Sequence, residues 1–139
     1  MVVRTVEMFP TVDQVAIKYQ NPPNSNMTFT QLDYALNGYG MDGIHKRPYY
    51  ARDISTAIMA GKPVIALVWY QSLPQRFSAF NGSHFVAIYG TNGESLLYRD
   101  PLANNGNELR ITFAQLDKAM SDVIQGNNYP NQAMDCIAE

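Results

Sequence analysis

Residues 81–101 read NGSHFVAIYGTNGESLLYRDP and carry the clearest structural signal of the chain. Two runs rich in apolar residues, 84–89 and 95–99, flank an Asn-Gly turn signal and together predict a β-hairpin. His84 opens the first strand, and Asp100 closes the returning one just before a proline. Because the two strands of a hairpin run side by side, we expect the His84 and Asp100 side chains to meet at one rim of a sheet.

A carboxylate beside an imidazole is an arrangement that supports nucleophilic catalysis. The carboxylate fixes the tautomer of the ring and stabilises the imidazolium, so His84 would act as a base and Asp100 as its orienter. Gly82 removes a side chain next to His84 and leaves room for a substrate backbone. A purely structural interpretation is also open, since a histidine at a strand start and an Asp-Pro turn at a strand end are both common.

Three Thr-x-x-Gln sequences mark the starts of helices, because the threonine hydroxyl and the glutamine side chain each bond the backbone of the other residue. These capping boxes, at 11–14, 28–31 and 112–115, predict helices over 12–19, 29–37 and 113–121. Apolar spacing predicts a fourth helix near 51–60.

Further strands are expected on both sides of the hairpin. A continuous apolar run over 64–70 predicts a central strand buried on both faces, and shorter runs predict strands over 109–112 and 123–125. The segment 71–83 is long for a connection between strands, as functional lids often are. Helices followed mainly by strands predict an α+β domain with an antiparallel sheet.

The composition bounds the function. The 139 residues, 46% of them hydrophobic and 16% charged, fit one globular domain. Ten basic against twelve acidic side chains argue against a nucleic-acid partner. The longest apolar run, 63–70, is far shorter than the roughly 20 residues of a membrane helix. No signal peptide or metal-ligand spacing is visible, so we expect no cofactor, and the compartment stays undetermined.

Residues 61–120 contain, in order, a glycine that ends a helix, the strand Lys62-Pro-Val-Ile-Ala-Leu-Val68, a Gly-Ser-His-Phe-Val strand, a strand ending in Asp-Pro and a short helix. This series resembles the second half of a papain-like cysteine peptidase of the bacteriocin-processing, double-glycine leader type. The resemblance implies that N-terminal helices pack on an antiparallel sheet. It also implies that His84 is the general base and Asp100 its orienter.

The chain departs from that family at the nucleophile. In the family the cysteine begins a long helix that precedes the sheet, with a glutamine a few residues before it. Here no cysteine precedes His84, and the single cysteine is Cys136, close to the end of the chain. Residues 1–139 would thus form one papain-like peptidase domain, either complete or lacking its N-terminal catalytic helix.

Three explanations stay open from the sequence. The domain is catalytically inactive and binds a peptide or protein partner, or its catalytic helix lies upstream or on a partner chain. Alternatively, Cys136 is the nucleophile in a permuted arrangement that joins the end of the chain to Met1, with Gln125 and Gln132 as oxyanion candidates. The leading hypothesis is a cysteine peptidase, or a related thiol acyl-transfer enzyme, that acts on peptide or protein amides through a Cys-His-Asp triad.

Overall fold

A computed structural model of the chain describes residues 4–5, 29–100, 108–123 and 130–138. Within these residues the elements alternate between strands and short helices. They are β1 (Arg4–Thr5), α1 (Phe29–Asn37), β2 (Met41–Lys46), α2 (Ala51–Met59), β3 (Val64–Trp69), a 3-10 turn (Tyr70–Ser72), β4 (Ser83–Thr91), β5 (Ser95–Arg99), β6 (Leu109–Thr112), α3 (Phe113–Ser121) and β7 (Ala133–Ala138).

The strands form one antiparallel sheet in the order β2-β7-β3-β4-β5-β6, and β1 pairs with the far end of β4. The C-terminal strand β7 is therefore inserted between β2 and β3. This insertion makes β3 a central strand, which explains why Val64–Val68 is buried throughout. The predicted α+β class with an antiparallel sheet is confirmed.

Helices cover both faces of the sheet. Alternate residues of β3 point to opposite faces: Val64, Ala66 and Val68 pack with α2 and α3, whereas Ile65 and Leu67 pack with α1. We call these the α2/α3 face and the α1 face. The face to which a side chain points decides which other side chains it can meet in a site.

Most predicted elements in the described residues are present. The helix over 29–37, the hairpin and the strand over 109–112 match the prediction, and α3 begins with the predicted capping box between Thr112 and Gln115. The start of α2 is set instead by Asp53, whose carboxylate accepts a hydrogen bond of 3.1 Å from the backbone of Tyr50. The predicted strand over 64–70 is one residue too long, since Tyr70 begins a 3-10 turn instead of extending β3.

Other predictions need correction or lie outside the described residues. The helix over 12–19 and the two capping boxes that involve Thr11 and Thr28 lie outside them. Val123 does not belong to a strand, and 124–125 lie outside. The end of the chain does not rebuild a helix, because residues 133–138 form a strand that pairs with both β2 and β3.

No helix among the described residues is long and apolar enough to span a bilayer.

Candidate active site

His84 and Asp100 meet as the hairpin predicted. His84 lies near the start of β4, and Asp100 directly follows the last residue of β5. The distance from His84 Nε2 to Asp100 Oδ1 is 2.6 Å. The two residues are only 1% and 4% exposed, so water competes little for this hydrogen bond.

The hydrogen bond assigns a role to each ring nitrogen of His84. An ionised carboxylate only accepts hydrogen bonds, so beside an ionised Asp100 it is Nε2 that donates and that carries the proton in a neutral ring. Nδ1 then holds the free electron pair. It is buried and has no hydrogen-bond partner among the described residues. The arrangement thus leaves Nδ1 as the ring nitrogen that can take up a proton.

Aromatic rings enclose the imidazole. The ring of Tyr70 lies edge-on at 5.2 Å from the His84 ring, and Phe80 lies at 6.3 Å. Tyr98 is fully buried on the neighbouring strand. Burial, with the nearby charge of Asp100 as a smaller cause, raises the pKa of Tyr98, and burial also raises the pKa of Tyr70. Both phenols are therefore neutral, and Asp100 is the acidic partner of the ring.

The connection between β3 and β4 folds against these rings through its own hydrogen bonds. The Tyr70 hydroxyl accepts a hydrogen bond of 2.5 Å from the backbone of Phe77. The Gln71 side chain donates to the carbonyl of Phe80 at 2.6 Å, and the backbone of Phe80 donates to the Ser78 hydroxyl at 2.9 Å. These bonds hold Phe80 beside His84.

Cys136 lies elsewhere in the sheet. His84 is paired with Val68, which belongs to the α2/α3 face, whereas Cys136 packs on the α1 face. The backbone of Cys136 donates to Pro63, five residues before Val68 on the central strand, which is roughly 16 Å along β3. The structure therefore does not bring Cys136 to the His84–Asp100 pair. This geometry contradicts the prediction that Cys136 pairs with His84.

The environment of the Cys136 thiol is also unsuited to a nucleophile. Cys136 is 1% exposed, and burial, with the charge of Asp135 as a smaller cause, raises its pKa to about 12. Near neutral pH the sulfur is a protonated thiol, and only the thiolate is a good nucleophile.

The glutamine candidates do not join the pair either. The side-chain oxygen of Gln132 accepts a hydrogen bond of 2.7 Å from His45 Nε2. His45 in turn stacks on Phe29 of α1 at 4.5 Å, so Gln132 faces the α1 side of the sheet. Gln125 lies outside the described residues.

No group of three His, Cys, Asp or Glu side chains among the described residues has the spacing to hold a metal ion.

Comparisons with known proteins add the class of fold. No family model matches the chain, and neither does any curated protein. Among solved structures, the chain is similar to a protein of Bacillus anthracis assigned as a C39-like peptidase, with a TM-score of 0.55 and 16% identity. The fold is that of a papain-like peptidase. The match covers 81% of this chain and 64% of the other, so this chain spans less than two thirds of the length of its neighbour.

Proposed function

We propose that this chain carries the acid–base half of a papain-like cysteine peptidase site that acts on peptide or protein amides. In this proposal His84 is the general acid–base and Asp100 orients it. The observation that carries the proposal is the 2.6 Å hydrogen bond from His84 Nε2 to Asp100 Oδ1, which leaves the buried Nδ1 of His84 as the base. A buried nitrogen without a partner costs about 1–3 kcal/mol, so a fold that retains one favours a functional role.

The chemistry follows from this geometry. His84 Nδ1 takes the proton of a thiol, and the thiolate attacks the carbonyl carbon of an amide to form a tetrahedral intermediate. The imidazolium, stabilised by Asp100, returns the proton to the leaving amine as the C–N bond breaks. Nδ1 then takes a proton from water, and the hydroxide cleaves the thioester and regenerates the thiol.

The thiol in this proposal comes from a polypeptide segment other than the strand that holds Cys136. Cys136 is the only cysteine of the sequence, and it lies across the sheet from His84. A cysteine-bearing segment upstream of residue 1, or one supplied by a partner chain, would complete the site beside Nδ1. A clear expectation follows: the chain alone has a base but no nucleophile.

Chemical complementation with a small thiol tests this expectation. The assay follows release of p-nitrophenolate from p-nitrophenyl acetate near neutral pH, with and without 2-mercaptoethanol, and subtracts the reaction without protein. We expect the chain to accelerate the thiol-dependent reaction only. His84→Ala should abolish the acceleration, since the base is lost, and Asp100→Ala should reduce it, typically by tenfold or more (about 10²–10⁴ is usual for a general base).

Two variants of the same chain serve as controls. His45→Ala removes the other histidine, and Cys136→Ser removes the only thiol; both should keep the acceleration. Equal rates in the wild-type chain and in His84→Ala would overturn the proposal. A rate that needs Cys136 and no added thiol would overturn it as well.

A second candidate function is favoured by the position of Cys136. A papain-like domain without a nucleophile can hold a peptide in its groove without cleaving it. In that case labelled peptides bind the chain with the same affinity in wild type and in Cys136→Ser, and added thiol produces no reaction dependent on His84. The complementation assay therefore separates the two functions.

A further inference from the structure

A pocket separate from the His84 site lies where α2 meets the start of β3 and the middle of β7. Its volume is about 250 Å³. The lining includes four polar residues, Tyr49, Asp53, Lys62 and Asp135, together with small residues in and directly after α2. Asp135 is paired with Val64, four residues from the partner of His84, which is roughly 13 Å along β3. The pocket and the His84 site are therefore distinct.

A buried carboxylate forms one wall of this pocket. Asp135 is 4% exposed, and its Oδ1 atom has no hydrogen-bond partner among the described residues. The Tyr49 hydroxyl donates a hydrogen bond of 3.4 Å to the backbone carbonyl of Asp53, and burial, with the nearby Asp135 carboxylate as a further cause, raises the pKa of Tyr49. The neutral phenol leaves the negative charge on Asp135 uncompensated. Taking such a charge out of water is costly unless a cation pairs with it.

The charged side chains that line the pocket have a net negative charge. Asp53 is a second acidic lining residue, and Lys62 is the one basic side chain that lines the pocket among the residues that the structure describes. Lys62 and Asp135 form no ion pair with each other within the part of the chain that the structure describes. A positively charged group in the pocket would therefore gain more attraction from the two carboxylates than repulsion from Lys62.

We propose that this pocket binds an alkyl ammonium group, with Asp135 as its counter-ion. The methyl groups of Ala57 and Ala60 line the same pocket and suit a methylene stem. An ammonium has three protons to donate, and the Asp135 carboxylate and the Tyr49 oxygen are acceptors. A metal ion fits less well, because no cluster of three acidic, His or Cys ligands exists among the described residues. The group comes either from a free amine or from a lysine side chain of a bound peptide.

The test is a titration of the ¹⁵N-labelled chain with n-pentylamine and, separately, with N-acetyl-lysine methylamide at low salt. 1-Pentanol, which has the same stem without the charge, is the control ligand. We expect saturable shifts centred on the amides of Lys62 and Asp135 with one or both amines and none with the alcohol. Binding of pentylamine supports a free-amine site. Binding of the lysine derivative alone supports a peptide side chain.

Variants of the pocket sharpen the test. Asp135→Asn keeps the shape of the side chain and removes its charge, so binding should weaken by about tenfold or more. Lys62→Met removes the like charge, so binding should strengthen severalfold. Circular dichroism verifies that each variant is folded. If Asp135→Asn does not fold, Lys62→Met alone decides, and no gain in affinity overturns the proposal. Equal shifts with 1-pentanol, or the absence of shifts with both amines, also overturn it.

Discussion

His84 Nε2 and Asp100 Oδ1 lie 2.6 Å apart, at the open end of the hairpin that β4 and β5 form, and both side chains are almost completely shielded from water. Burial makes this bond strong and makes each partner dependent on the other. In the proposed function, the same bond determines which nitrogen of the ring is left to act as a base. Stability and the proposed chemistry therefore depend on one contact.

Removing one partner of this pair should cost far more than removing a partner of an exposed pair. Asp100→Ala leaves Nε2–H of His84 buried without an acceptor, and we expect the free energy of unfolding to fall by about 3 kcal/mol. The matched control is Lys118→Ala, since Lys118 pairs with Asp122 at 2.9 Å on the surface and its removal leaves the hydrogen bond from Ser72 to Asp122 in place. That pair is worth about 0.5 kcal/mol. Urea denaturation of the three proteins measures both losses. Losses of equal size would contradict the buried hydrogen bond.

The Cys136 thiol should be unreactive in the folded chain. Because it is buried and protonated near neutral pH, we expect iodoacetamide to label it orders of magnitude more slowly than in urea. The labelling rate should be the same in His84→Ala, since the two side chains lie on opposite faces of the sheet. Mass spectrometry of timed samples gives the rates. Faster labelling of the wild-type chain than of His84→Ala would contradict the position assigned to Cys136.

The chain should lose stability in alkali. The folded pKa of Cys136 is raised to about 12 from a usual value near 9, so above pH 9 the unfolded chain gives up a proton that the folded chain retains. The stabilisation is complete below pH 9 and declines as the pH rises toward 12. Between pH 9 and 10 we expect a loss of about 1 kcal/mol from this group.

Two variants identify the source of this decline. Cys136→Ala should remove about 1 kcal/mol of the loss in unfolding free energy between pH 9 and 10, while the part that the buried tyrosines contribute remains. Tyr89→Phe should act mainly above pH 10, because burial and a bond to Glu108 raise the pKa of Tyr89 from 10 to about 12. Urea titrations at a series of pH values measure these slopes. A slope in Cys136→Ala identical to that of the wild type would contradict a buried thiol.

The hydroxyl of Tyr70 should order the connection between β3 and β4. Tyr70→Phe removes the acceptor of the Phe77 backbone amide, and we expect a loss of about 1 kcal/mol of local stability. Hydrogen exchange at the Phe77 amide should then accelerate by about fivefold, while exchange in β3 stays unchanged. Tyr34→Phe, at a residue that is 80% exposed, is the control. Unchanged exchange at Phe77 would contradict the role of Tyr70.

The sequence predicts the elements whose signals are local. The capping box of Thr112 and Gln115 and the apolar run of β3 act over a few residues, and both predictions agree with the structure. The polar strand β2 has no such signal, because its strand character comes from pairing with β7. Gly43 shows the dependence: a Cβ atom there would lie 2.2 Å from the sulfur of Met134 on β7. Contacts between residues so distant in sequence are not visible in a local pattern.

For the same reason, the sequence predicts only part of the candidate site. The proximity of His84 and Asp100 can be predicted from the sequence, because a hairpin places the two ends of its strands side by side. The position of Cys136 depends on where β7 enters the sheet and on which face its residues 134 and 136 share, and a pattern in the chain determines neither. The position of Tyr98 next to Asp100 likewise depends on how the strands pair. An apolar alternation in the strand indicates its burial, but only the register of β5 shows that it lies beside the pair.

The protonation of the His84 ring in solution tests the proposed role of this residue most directly. A long-range ¹H–¹⁵N spectrum of the ¹⁵N-histidine-labelled chain, recorded at a pH where the imidazole is neutral and assigned with His45→Ala, distinguishes the two ring nitrogens. We predict that Nε2 carries the proton and Nδ1 the free electron pair, and that Asp100→Ala removes this preference. A proton on Nδ1 in the wild-type chain would contradict the proposal that Asp100 holds His84 as a base acting through Nδ1.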